Sequence, residues 1–135
     1  MRNSVLLIDD DESICALLKG YLRMKDIDME VIHASTGEEG VKAYRVLKTL
    51  GKEPLLTFVD IRLPGIDGFE VLDEIREENP NANVLILTGF AHTQGIKEEV
   101  EKREVGMVEK VGPYMLTLCS FIGAIVAALN RYGGK

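Results

Sequence analysis

Val5-Leu6-Leu7-Ile8-Asp9-Asp10-Asp11 is an unbroken apolar run that ends abruptly in three carboxylates. The device recurs along the chain: Leu55-Leu56-Thr57-Phe58-Val59 runs into Asp60, Val84-Leu85-Ile86-Leu87 runs into Thr88, and Val31-Ile32 is a shorter version. Apolar runs without alternation suit strands buried on both faces, the condition of a parallel sheet covered by helices. Between the runs, apolar residues take helical spacing: Ile14, Leu17, Leu18, Tyr21 and Leu22; then Val41, Tyr44 and Leu47; then Phe69, Leu72 and Ile75. Gly106-Met107-Val108-Glu109 reads as a fifth, weaker strand, preceded by a polar helix over 96–103 and followed by a long carboxy-terminal helix. Five βα units imply an α/β, doubly wound parallel sheet with helices on both faces and its functional crevice at the carboxyl edge. Helix start signals agree: Asp11 or Ser13 can cap the first helix, Ser35 or Thr36 the second and Asp67 the third.

The remaining arithmetic narrows the function classes. With 135 residues, 46% of them hydrophobic, the chain has material for one core and not comfortably for two, so a single domain over 1–135 with no effector domain is expected. A net charge of −6 disfavours nonspecific binding to nucleic acid or to an anionic membrane surface, both of which call for a basic face. Cys15 and Cys119 stand in apolar helical patterns without metal-ligand spacing, and buried reduced thiols are expected rather than a bridge. The amino terminus lacks the hydrophobic stretch of a secretory signal, which makes a cytoplasmic location the expectation. Residues 111–130 carry no charge, but Gly112, Pro113, Thr117, Ser120 and Gly123 interrupt them, so they read as a loop and a buried or partner-covered helix, not a membrane span.

In a parallel sheet the residues that follow the strands share one edge. Asp9, Asp10, Asp11, Asp60, Thr88 and Lys110 should therefore converge. Two unit negative charges ~4 Å apart repel by ~4 kcal/mol at an effective dielectric constant of about 20, so such a pocket needs a cation or must protonate an acid. Hard carboxylate oxygens with room for water favour Mg²⁺. A divalent ion and a lysine would gather a phosphoryl group and leave one carboxylate free to attack phosphorus. An isolated Asp after a strand is more often a turn or cap residue. The conjunction across several strand ends is what favours chemistry.

The run from Val5 to Asp10, the loop Asp60-Ile61-Arg62-Leu63-Pro64-Gly65-Ile66-Asp67-Gly68, the turn Ile86-Leu87-Thr88-Gly89 and Lys110, in this order, resemble the receiver domain of response regulators in two-component signal transduction. Ala34-Ser35-Thr36-Gly37-Glu38-Glu39 is similar to that family's turn into its second helix. The resemblance implies a flavodoxin-like sheet of order 2-1-3-4-5, an order the family shares with the flavodoxins. It implies Asp60 as the phosphoacceptor, taking its phosphoryl group from a sensor histidine kinase or phosphotransfer protein. Mg²⁺ would be held by Asp10, Asp60 and the Arg62 main-chain carbonyl, with Asp9 acting largely through a bound water. Thr88 and Lys110 would contact the phosphoryl oxygens, and Pro64, Gly65 and Gly68 would shape the acceptor loop. The family is a switch rather than an enzyme, signalling to a downstream protein target through its last helices, without nucleic acid.

Several residues depart from that pattern. Lys110 is followed by Val111-Gly112-Pro113, where the family usually has a proline directly after the lysine, and a trans Lys110–Val111 bond is expected. Met107 replaces the frequent aromatic switch, so its response should be softer. Arg62 and Phe90, two residues after Asp60 and Thr88, are bulky and favour slow self-dephosphorylation. The apolar residues of the last helix, from Met115 to Leu129, cover more than one face, pointing either to deep burial or to a partner or homodimer contact there. His33 reads as a packing residue of the second strand, His92 as a loop residue, and Lys97 to Glu104 as a solvated helix face with i,i+4 pairs. Two other functions fit parts of the sequence. One is a receiver-like binding module that is never phosphorylated. The other is a haloacid-dehalogenase-like phosphatase with Asp9 as nucleophile and Asp11 as acid/base, which leaves Asp60 and its loop unexplained.

Overall fold

The computed structural model describes residues 3–89, 93–110 and 123–133. Phe90 and His92, Val111-Gly112-Pro113 and the stretch 114–122 in which the last helix is expected to begin, with Cys119, lie outside the described residues. Five strands, β1 (Ser4–Ile8), β2 (Glu30–Ala34), β3 (Leu56–Asp60), β4 (Val84–Thr88) and β5 (Gly106–Glu109), form one parallel sheet of order β2-β1-β3-β4-β5. Helices α1 (Glu12–Met24), α2 (Gly37–Thr49), α3 (Gly68–Glu78) and α4 (Gln94–Arg103) connect them. Residues 123–128 are α-helical and pass into a π-helical turn, Leu129–Gly133, where Asn130, Tyr132 and Gly133 are poor α-helix formers.

The expected flavodoxin-like order is borne out, and the unbroken apolar runs explain it. Every residue of β1 is buried, and successive side chains serve opposite faces. Val5 and Leu7 join Phe58, Leu87, Ile14, Leu18, Leu22 and Ile125 on the side covered by α1 and the last helix. Leu6 and Ile8 join Val59, Ile86, Val41, Tyr44, Leu72 and Ile75 on the side covered by α2 and α3. Each such aliphatic or aromatic side chain contributes about 1.5–3 kcal/mol on leaving water. β2, at the sheet edge, is only half-buried along most of its length, which is why its apolar run in the sequence is the shortest.

The caps follow the sequence. Asp11 accepts a hydrogen bond from the Ser13 N–H, Thr36 from Glu39 and Asp67 from Glu70. α4 is held differently: it buries no residue fully, and Ile96 and Val100 only partly cover the α2/α3 side of the core. Its last residue, Arg103, supplies the tether, pairing with Asp73 of α3 at 3.0 and 3.1 Å and with Glu99 at 3.0 Å while its guanidinium lies 4.8 Å from the centre of the Phe69 ring. The run 97–104 is thus a solvated face with an i,i+4 pair, as its sequence suggests, but its one arginine is also a bridge to α3.

Candidate functional site

The site is assembled where β1, β3, β4 and β5 end. Asp60 and Thr88 are the last residues of β3 and β4 rather than the first residues beyond them, and each still stands in the ladder, opposite Leu87 and Glu109. Asp9 follows β1 directly, and its N–H continues the pairing with β2 by donating to the Ala34 carbonyl at 3.0 Å. Lys110 follows β5, its main-chain N–H donating to the Thr88 carbonyl at 2.8 Å. Strand ends, which the backbone fixes, therefore bring Asp9, Asp60, Thr88 and Lys110 to one edge.

The side chains meet there. The Lys110 ammonium lies 2.6 Å from Asp9 Oδ2 and donates to Asp60 Oδ2 at 2.8 Å. Asp9 Oδ1 accepts from the Asp11 N–H at 2.9 Å, and Asp60 Oδ1 accepts from the Arg62 N–H at 3.1 Å. Asp10 is exposed but its carboxylate belongs to the same group: one oxygen each of Asp9, Asp10 and Asp60 lies within 4.8 Å of the others. Thr88 is buried beside them at the end of β4. Asp11, by contrast, is turned to the helix, its carboxylate capping α1, and Asp9 is fully buried. That leaves neither residue placed for the nucleophile and acid/base roles of the phosphatase reading.

Electrostatics mark Asp9 as the strained member. Burial pushes its pKa up from 3.8 to about 6, against the opposing pull of Lys110 and the Asp11 N–H, with Asp60 adding to the rise. Lys110 responds in kind. Burial would lower it, but the Asp60 hydrogen bond and the charges of Asp9 and Asp60 together outweigh burial and hold it above its ordinary value. One ammonium does not finish the task. Its approach to Asp9 Oδ2 is close yet off the line of a hydrogen bond, and that oxygen is buried without an aligned donor. A buried acceptor in that state, within a group of three carboxylates, fits a small hard cation at the mouth of the pocket.

The acceptor loop is shaped by glycine where the backbone requires it. Gly65 has a φ of +80°, and a side chain there would also run into the Glu38 carboxylate of α2. A Cβ on Gly68 would collide with the Asp60 carbonyl and the Ile61 Cα, so the start of α3 rests directly on the end of β3. Met107 is half-buried in β5 opposite Ile86. The residue missed by sequence reasoning is His33. Instead of only packing, its Nε2 lies 2.7 Å from the Asp9 carbonyl oxygen.

Comparison with known proteins agrees with this geometry. The family model of the response regulator receiver domain matches residues 5–113. The chemotaxis protein CheY of Halobacterium salinarum is 31% identical over 110 residues, covering 82% of this chain and 86% of that protein. The alkaline phosphatase synthesis transcriptional regulatory protein PhoP of Bacillus subtilis is 38% identical over 88 residues, 65% of this chain, and the chain spans 34% of its length. Other long relatives are matched over a third of their length or less. Among solved structures, TrrA of Thermotoga maritima in complex with Mg²⁺ and beryllofluoride is 27% identical with a TM-score of 0.71, covering 94% of this chain and 99% of that one. Among the described residues no helix is long and apolar enough to cross a membrane.

Proposed function

Because the chain belongs to the response regulator receiver domain family of two-component signalling, we propose that it works as a phosphorylation-dependent switch with Asp60 as phosphoacceptor, taking its phosphoryl group from a sensor histidine kinase or phosphotransfer protein and signalling to a downstream protein by contact. In this reading the receiver domain acts as a switch and not as an enzyme, in the cytoplasm. The observation that carries the proposal is the Lys110 ammonium bridging Asp9 and Asp60, with Asp10 in the same carboxylate group.

The chemistry assigned to each side chain follows from its place. A carboxylate oxygen of Asp60 attacks phosphorus as the nitrogen–phosphorus bond of the donor phosphohistidine breaks, leaving an acyl phosphate on Asp60 and the electron pair on the departing imidazole. Lys110 is within reach of the transferred group and exchanges part of its contact with Asp60 for a phosphoryl oxygen. Thr88 donates its hydroxyl to another. Asp10, Asp60, the Arg62 carbonyl and, through water, Asp9 are the residues that would hold Mg²⁺, which when bound supplies positive charge to the phosphoryl oxygens. Asp9 keeps Lys110 in the pocket at both stages. Added charge at this edge then biases the surface of α4, β5 and the last helix, the elements next to Thr88 and Lys110.

Incubation with acetyl phosphate tests the reading. Wild-type protein gains one phosphoryl group in the presence of Mg²⁺ and none when a chelator is present from the start, while Asp60→Asn gains none. Equal labelling of the two proteins, or no labelling of the wild type by acetyl phosphate or beryllofluoride, overturns it and leaves a binding module.

A further inference from the structure

We propose that His33 is a positioning residue of the acidic pocket, holding the peptide between Asp9 and Asp10 in the orientation that delivers both carboxylates to one cation. This rests on the reading of the pocket as a divalent cation site.

The β1–β2 ladder runs out at this point. Ile8 pairs with Ala34, and the Asp9 N–H still finds the Ala34 carbonyl, but β1 itself has ended. The next group along the chain, the Asp9 carbonyl, falls beyond the last strand pair, and a carbonyl left unsatisfied beside a fully buried residue is costly. His33 answers from the neighbouring strand, in register with Leu7, placing its Nε2 2.7 Å from that carbonyl oxygen. A carbonyl can only accept, so the hydrogen sits on Nε2.

The peptide plane between residues 9 and 10 is what this bond fixes. Asp9 is already held on its side chain by the Asp11 N–H and Lys110. Asp10 is exposed, and its carboxylate stands in a group of like charges that repel one another. Turning the 9–10 peptide would swing Asp10 toward solvent and relieve that repulsion, at the expense of the site. The imidazole opposes the turn, as partners that orient ligands from outside the coordination sphere do in metal sites generally.

The test uses the whole chain and Mg²⁺ alone, titrated by calorimetry into wild type, His33→Phe and His33→Gln, with urea unfolding run alongside. Phe removes the donor and Gln keeps an N–H. The Phe variant is expected to bind Mg²⁺ roughly three- to tenfold more weakly, and the Gln variant within about twofold of wild type. Equal affinity in all three, or equal weakening in both variants, overturns the positioning role. Wild type that fails to bind Mg²⁺ overturns the cation reading beneath it. A second readout needs neither metal nor variant: long-range nitrogen–proton spectra of the metal-free wild type should show His33 protonated at Nε2, and a ring protonated only at Nδ1 contradicts the proposal.

Discussion

Replacing Asp9 by Asn should make the metal-free protein more stable, although it deletes a member of the pocket and an ion pair with Lys110. Asp9 is fully buried and its pKa stands at about 6 against an ordinary 3.8, with desolvation the leading cause and Lys110 already counted among the opposing ones. The folded protein therefore binds the Asp9 proton more tightly than the unfolded chain does. Between those two values stability falls as pH rises, and above about 6 the whole penalty for an ionised Asp9 is present. At about 1.4 kcal/mol per pH unit the gap corresponds to about 3 kcal/mol, which water penetration and side-chain relaxation reduce to ~1–3 kcal/mol. Asn has the shape of the protonated acid and its oxygen can still accept from the Asp11 N–H. In urea unfolding without Mg²⁺, Asp9→Asn should thus exceed wild type by ~1–3 kcal/mol near pH 8, by much less near pH 4, where the acid is protonated in the folded protein and about half so in the unfolded chain, and by close to nothing near pH 3, where both are largely protonated. Added Mg²⁺ should stabilise wild type more than the variant. A variant less stable than wild type near pH 8, or an advantage that stays constant down to pH 4, would refute the claim that an uncompensated charge is stored at this position.

Lys110→Met should lower stability by about 2 kcal/mol near neutral pH, since two carboxylates lose their shared cation, and the loss should shrink on acidification as Asp9 takes up its proton. Gly68→Ala should lower stability by ~1–3 kcal/mol and weaken Mg²⁺ binding with it, because the new methyl group displaces the Asp60 main chain; unaltered Mg²⁺ affinity in a calorimetric titration contradicts this. Leu72→Ala, fully buried between α3 and the sheet and away from the acids, should lower stability by ~2–4 kcal/mol while acetyl phosphate labelling of the folded fraction stays as in wild type.

The sequence carried the order of elements because burial on both faces writes itself as unbroken apolar runs, and β1, β3 and β4 are such runs. Because capping is local, it carried the cap at Asp67 and narrowed the other two to Asp11 or Ser13 and Ser35 or Thr36, of which Asp11 and Thr36 cap. Strand ends were displaced by one residue at Asp60 and Thr88. A polar side chain at a run's end looks like loop, while the backbone pairing of Asp60 with Leu87 and Thr88 with Glu109 leaves no local trace. The convergence of Asp9, Asp60 and Lys110 followed from strand ends sharing an edge, so the site was legible once the topology was. His33 and Arg103 were not. Both reach partners 24 and 30 residues away, and the type of residue at those positions does not announce the distant group it meets. For His33 the available signal was register: a residue beside Leu7 in a parallel pair lies within a side chain's length of whatever follows Ile8.

Whether Asp60 receives the phosphoryl group can be read chemically. Borohydride reduction of protein labelled with acetyl phosphate and Mg²⁺, followed by proteolysis and peptide mass spectrometry, reads the site directly, since an acyl phosphate on aspartate is reduced to homoserine. Homoserine is expected at position 60, with Asp9 intact. Homoserine at position 9, or at no position in protein that has bound Mg²⁺, would contradict it.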